Sequence, residues 1–137
     1  MSAEENKAIV RRAIEEVWNK ENLAIVDEIY AANYIVHDPN APWLEDIHQL
    51  LSIYRSAFPD LHMVIDDLIA EGNKVMERWT MTGTHRGTVV HIPPTGERVE
   101  VTGISIFRFE GGKMKEEWSS WNALGLMQQL GLVAPLG

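Results

Sequence analysis

Residues 99–131, VEVTGISIFRFEGGKMKEEWSSWNALGLMQQLG, decide the fold. They read as strand, tight turn, strand and helix. In the first strand apolar residues recur at every second position, which is the period of a strand with one buried face. The pair Gly111-Gly112 marks the turn. On the second strand, alternation places Met114, Glu116, Trp118, Ser120 and Asn122 on one face. That face carries an acid, an indole and an amide, where a purely structural strand would place aliphatic side chains. It reads as the wall of a pocket for a partly polar ligand. The plainer alternative is an amphipathic strand whose polar side meets water.

Upstream, Leu61–Ala70 and Lys74–His85 form a second hairpin around Glu71-Gly72-Asn73. Thr88–Gly96 connects the two hairpins. The N-terminal third has a helical period instead. Ser2-Ala3-Glu4-Glu5 has the form of a capping box, and Ile9, Val10, Ala13, Ile14, Val17 and Trp18 follow as an apolar stripe. A second, shorter helix is expected from Asn22, and a short strand over Tyr34–Asp38, stopped by Pro39. A third helix is expected to open near Pro42 and to end before Pro59. Ala123–Leu130 reads as a closing helix with Gly131 at its C-cap. Helices followed by antiparallel strands indicate an α+β class, here a curved, mostly antiparallel sheet packed as a cone on three N-terminal helices.

The 137 residues fit a single domain over 1–137. With 45% hydrophobic and 23% charged residues the chain has an ordinary globular composition. A net charge of −8 and scattered basic residues argue against a nucleic-acid partner. No stretch approaches a membrane span. The N-terminal residues lack the apolar core of a secretion signal. The absence of cysteine removes disulfides and thiol chemistry, and is consistent with a cytoplasmic protein.

The chain resembles the SnoaL-like polyketide cyclases of the nuclear-transport-factor-2-like superfamily. The likeness rests on EEVWNKENLAIVDEIYAANYIVHDP (15–39), AFPDL (57–61), RWTMTGTHRG (78–87), IPPTGERVEVTGISIFRFEGGKMKEEW (92–118) and GLMQQLG (125–131). The resemblance implies intramolecular aldol closure of a polyketide ester without a cofactor. An aspartate near the end of the last strand serves there as acid and base. The matching position here is Asn122, whose amide does not exchange protons at neutral pH but donates a hydrogen bond to a carbonyl or enolate oxygen. The resemblance also implies a homodimer formed through the open face of the sheet.

The candidate catalytic residues are therefore His37, Asp38 and Asn122. Asp38 beside His37 suits a general base, although neighbours on a strand face opposite ways and Asp38-Pro39-Asn40 is also a turn signal. Tyr54, Arg78, Glu116, Trp118 and Trp121 are the candidate substrate-binding residues, for a small apolar or aromatic molecule. If Arg78 faces inward it needs a carboxylate, and Glu116 is the expected partner. His37, His85 and His91 match no metal-ligand spacing, so no metal is expected. Three functions remain open: proton-transfer chemistry on a carbonyl compound, non-catalytic ligand binding, and epoxide hydrolysis by an acid–arginine–acid set of Asp38, Arg78 and Glu116.

Overall fold

The computed structural model describes residues 2–89 and 91–135. Helix α1, Ala3–Arg12, starts at the predicted capping box. Ser2 Oγ accepts from the Glu5 N–H at 3.0 Å, and Glu5 reaches back to the Ser2 N–H at 3.4 Å. The helix continues as a wide π-helical segment, Ala13–Asn19. A 3₁₀ turn, Leu23–Ile25, leads into the short α2, Val26–Ile29. Asn22 precedes this turn and makes no side-chain cap hydrogen bond to it. Strand β1, Tyr30–His37, begins four residues before the predicted strand.

Helix α3, Ile47–Ala57, opens later than Pro42 suggests. Asp46 is the reason. Its backbone is extended, and its carboxylate accepts the Gln49 N–H at 2.8 Å, so it caps the helix. Pro42 falls in a turn instead, where the Leu44 N–H bonds the Ala41 carbonyl at 3.1 Å.

The hairpins form as read. Strands β2, His62–Glu71, and β3, Lys74–Thr84, make the first; β4, Arg98–Glu110, and β5, Lys113–Trp121, make the second. Helix α4, Ala123–Gln129, follows, and Gly131 closes it at φ +78°. The sheet order is β1-β5-β4-β3-β2, with β1 parallel to β5 and every other pairing antiparallel. One face of this sheet meets the helices. Val99, Val101, Phe107 and Phe109 of β4 bury their side chains there, as do Val75 and Met81 of β3. Met76, Arg78 and Thr80 therefore face away.

One irregularity governs the rest. Phe109 pairs with Met114 and Arg108 with Glu116, so Lys115 is an extra residue in β5. This β-bulge reverses the alternation beyond it. Met114 is buried, but from there Glu117, Ser119 and Trp121 turn inward, while Trp118 and Ser120 are exposed. The face expected to line a pocket is thus the outer face of β5 after Met114.

Candidate active site

A cavity of about 90 Å³ lies between the inner face of the sheet and the helices. Its walls are mostly apolar, with Ile14 and Trp18 from the π-helical segment, Met81 from β3 and Leu126 from α4. Into this shell the fold places three carboxyl groups, each buried: Asp38, Glu77 and Glu117.

Asp38 stands just beyond β1. Its Oδ2 accepts the Trp121 indole N–H at 2.8 Å, and its Oδ1 accepts the Asn40 backbone N–H at 2.9 Å. Asp38 thus makes the expected turn contact and also lines the cavity. Tyr54, on α3, packs edge-on against Trp121, with ring centres 6.4 Å apart. Burial, and then the charges of Asp38 and Glu117, push the Tyr54 phenol above its ordinary range.

Glu117 ends a directed chain of hydrogen bonds. Trp79 Nε1 donates to Ser105 Oγ at 3.0 Å, the Ser105 and Ser119 hydroxyls lie 2.8 Å apart, and Ser119 donates to Glu117 Oε2 at 2.5 Å. Because Ser119 spends its single proton on Glu117, Ser105 is the donor to Ser119. Tyr34 donates to Glu117 Oε1 at 2.7 Å. Burial raises the Glu117 carboxyl, and the Ser119 and Tyr34 hydroxyls act against that rise. Gly103 makes the chain possible. It stands opposite both Trp79 and Trp121 in register, and a Cβ there would overlap the Trp79 indole.

Glu77 is the third carboxyl, only 1% exposed. It lies opposite Ser105 on β4, which lies opposite Ser119 on β5. Its Oε2 has no hydrogen-bond partner among the described residues. Burial, and then the charge of Glu117, push it up to about 8. Glu77, held above its ordinary range, and a hydrogen-bonded Glu117 thus share one apolar cavity.

The remaining candidates sit elsewhere. His37, Glu116 and Trp118 meet on the outer face. His37 Nε2 lies 2.6 Å from Glu116 Oε2, and its ring stacks on Trp118 at 5.3 Å. His37, and then Arg108 at 3.0 Å, hold the Glu116 carboxyl below its ordinary value. Arg78 faces outward to Asp67, at 2.6 Å, and not to Glu116. Asp38, Arg78 and Glu116 therefore do not assemble as an acid–arginine–acid set. Asn122 caps α4, accepting the Gly125 N–H at 2.8 Å, and lies outside the cavity wall. His85 is buried against Thr95 at 3.0 Å, whereas His91 is exposed. Among the described residues no group of three His, Cys, Asp or Glu is arranged to hold a metal ion.

The sequence reading missed Glu77, Glu117, Ser105, Ser119, Tyr34 and Trp79. Glu77 did leave a signal, as an acid within the apolar alternation Val75, Trp79, Met81.

A family model described as SnoaL-like polyketide cyclase matches residues 8–130. No curated protein matches the chain. Among solved structures, a proposed polyketide cyclase from Acidithiobacillus ferrooxidans is 32% identical. The match covers 98% of this chain and 100% of that one, with a TM-score of 0.83. AclR from Streptomyces galilaeus, a proposed hydroxylase, is 27% identical over 99% of this chain and 87% of its own, with a TM-score of 0.84. TsrD from Streptomyces laurentii is 26% identical over 97% and 99%, with a TM-score of 0.85.

Proposed function

The chain belongs to the SnoaL-like polyketide cyclase family, and on that premise we propose that its cavity carries out cofactor-free proton transfer on a small apolar carbonyl compound, as a cyclase or isomerase does. Glu77 is the acid that protonates the carbonyl oxygen. Asp38, an acceptor on both oxygens, takes the proton from the adjacent carbon. The resulting enol returns its O–H proton to Glu77 as its carbonyl re-forms, and either closes on a second carbonyl carbon, whose C=O π bond breaks and whose oxygen takes the proton held by Asp38, or takes that proton at a new carbon. Tyr54 and Trp121 fix the substrate against the wall. His37 and Asn122 have no part in this scheme, because both lie outside the cavity wall.

The observation that carries the reading is Glu77, buried in an apolar cavity with its Oε2 unpartnered among the described residues and pushed up to about 8 by burial and Glu117, beside two hydrogen-bonded carboxyls. A carboxyl titrating near neutrality is matched to acid–base work at pH 7. Proton exchange at the α-carbon of β-keto esters and cyclic ketones, followed by NMR in D₂O, tests it. The chain should accelerate exchange, and Glu77→Gln or Asp38→Asn should lower the rate by about 10²–10⁴. Exchange at the protein-free rate throughout would leave a binding protein and end the catalytic reading.

We further propose that the chain is a cytoplasmic homodimer. Ile104 and Ile106 on β4 and Trp118 on β5 form an exposed apolar strip on the outer face of the sheet, 47%, 39% and 37% exposed. A second copy meeting this strip would cover it. No described helix is long and apolar enough to cross a membrane.

A further inference from the structure

We infer that the cavity is built for a ligand carrying a protonated amine, whose ammonium sits between Glu77 and Glu117 against indole walls. This goes beyond the catalytic reading. It rests on the cavity being the ligand site, and not on turnover there.

The lining holds three carboxyl groups and no lysine, arginine or histidine. Two of the carboxyls are already engaged. Asp38 takes N–H donors from Trp121 and Asn40, and Glu117 takes hydroxyls from Tyr34 and Ser119. Of the three carboxyls only Glu77 has an oxygen, Oε2, buried without a partner among the described residues. A buried acceptor with an unmade hydrogen bond is costly. Once ionised, Glu77 is an acceptor only, and the group that completes it must then donate. A neutral hydroxyl would supply one hydrogen bond, whereas an ammonium supplies three and a charge. The charge also answers Glu117, whose field is felt at Glu77. The indoles of Trp18, Trp79 and Trp121 line the same space and attract a cation at their faces. A carboxylate or phosphate ligand would instead meet three acids and no cation.

Proton linkage follows from the same groups. Glu117 from β5, Asp38 from beyond β1, Tyr30 from β1 and Tyr54 from α3 line the space that Glu77 faces, and Tyr34 from β1 stands behind Glu117, bonded to it. All three phenols are raised and stay neutral in the range that matters. An ammonium favours the ionised form of Glu77, so binding at pH 7 expels the Glu77 proton. Affinity therefore climbs as pH rises towards 8.

Isothermal titration calorimetry of the full chain with benzylamine, benzyl alcohol and benzoate tests this. Benzylamine should bind at least tenfold more tightly than benzyl alcohol, and benzoate should not bind. The benzylamine affinity should rise about tenfold from pH 6 to pH 7, one proton being released. Glu77→Gln should abolish both the preference and the pH dependence. Should that variant not fold, the wild-type pH profile decides alone. Equal or tighter binding of benzyl alcohol or benzoate, a flat pH profile, or no binding of any of the three overturns the inference. Deuterium exchange on ketones without an amine preference would overturn it while leaving the acid–base reading intact. An amine preference without exchange would support it and remove the catalytic reading.

Discussion

Trp121 donates its indole N–H to Asp38 across 2.8 Å, joining the end of β5 to the chain just beyond β1. The bond closes the parallel edge of the sheet, where β1 pairs with β5. It also holds a carboxylate at the cavity wall.

Replacing Trp121 by Phe keeps a ring in the wall but removes this donor. The Asp38 oxygen then lacks its side-chain partner in a buried position, at a cost of about 1–3 kcal/mol. The urea midpoint should fall accordingly. In a double-mutant cycle with Asp38→Asn, a coupling of about 1 kcal/mol or more is expected. Additive effects would mean that the bond contributes nothing to stability.

Glu77 makes stability depend on pH. Its folded value, about 8, lies above its ordinary 4.5, so the native state binds more protons than the unfolded chain between those limits. The contribution of the protonated carboxyl is fully present below pH 4.5 and is lost as pH rises through 8. The loss is on the order of a few kcal/mol. Glu77→Gln should flatten this slope and be more stable than wild type at pH 8.5. Denaturant unfolding of both proteins at pH 5, 7 and 8.5 reads it directly, and parallel slopes would show that Glu77 is not the source.

Asn122 is a helix cap, so its substitutions sort by capping. Asn122→Asp retains an acceptor for the Gly125 N–H and should leave stability nearly unchanged. Asn122→Ala removes the cap and should cost about 1 kcal/mol. Ligand binding should be the same in both. A change of binding in Asn122→Ala without a change of stability would return this residue to the site.

The apolar strip on the outer face gives an assembly prediction. Sedimentation equilibrium at micromolar protein should return twice the 15.5 kDa chain mass. Ile104→Lys should return the single-chain mass with its near-ultraviolet circular dichroism retained. A wild-type monomer would contradict the dimer.

Both hairpins, the first helix and the closing helix were legible because hydrophobic period, capping box and glycine turns agree locally. The site was less so. Reading alternation through Lys115 without a bulge exchanges Glu116 for Glu117 and Trp118 for Trp121 as inward residues. The bulge leaves no residue-type signature at Lys115, a half-buried lysine whose ammonium reaches the Asn33 carbonyl as it could from a regular strand. Trp121 and Asp38 were named as candidates, but their hydrogen bond joins residues 83 apart in sequence. That contact depends on β1 lying parallel to β5, and local patterning does not encode the pairing. Glu77 was the accessible clue, an acid on the buried face of a strand.

The proposed acid–base chemistry requires a Glu77 carboxyl that keeps its proton beside Glu117. Carbon-13 NMR of protein labelled at the glutamate side-chain carboxyls measures it, with the Glu77 signal assigned by its loss in Glu77→Gln. This signal should titrate near pH 8, far above the exposed glutamates, leaving Glu77 protonated at neutral pH. A Glu77 signal titrating near pH 4.5 would contradict it.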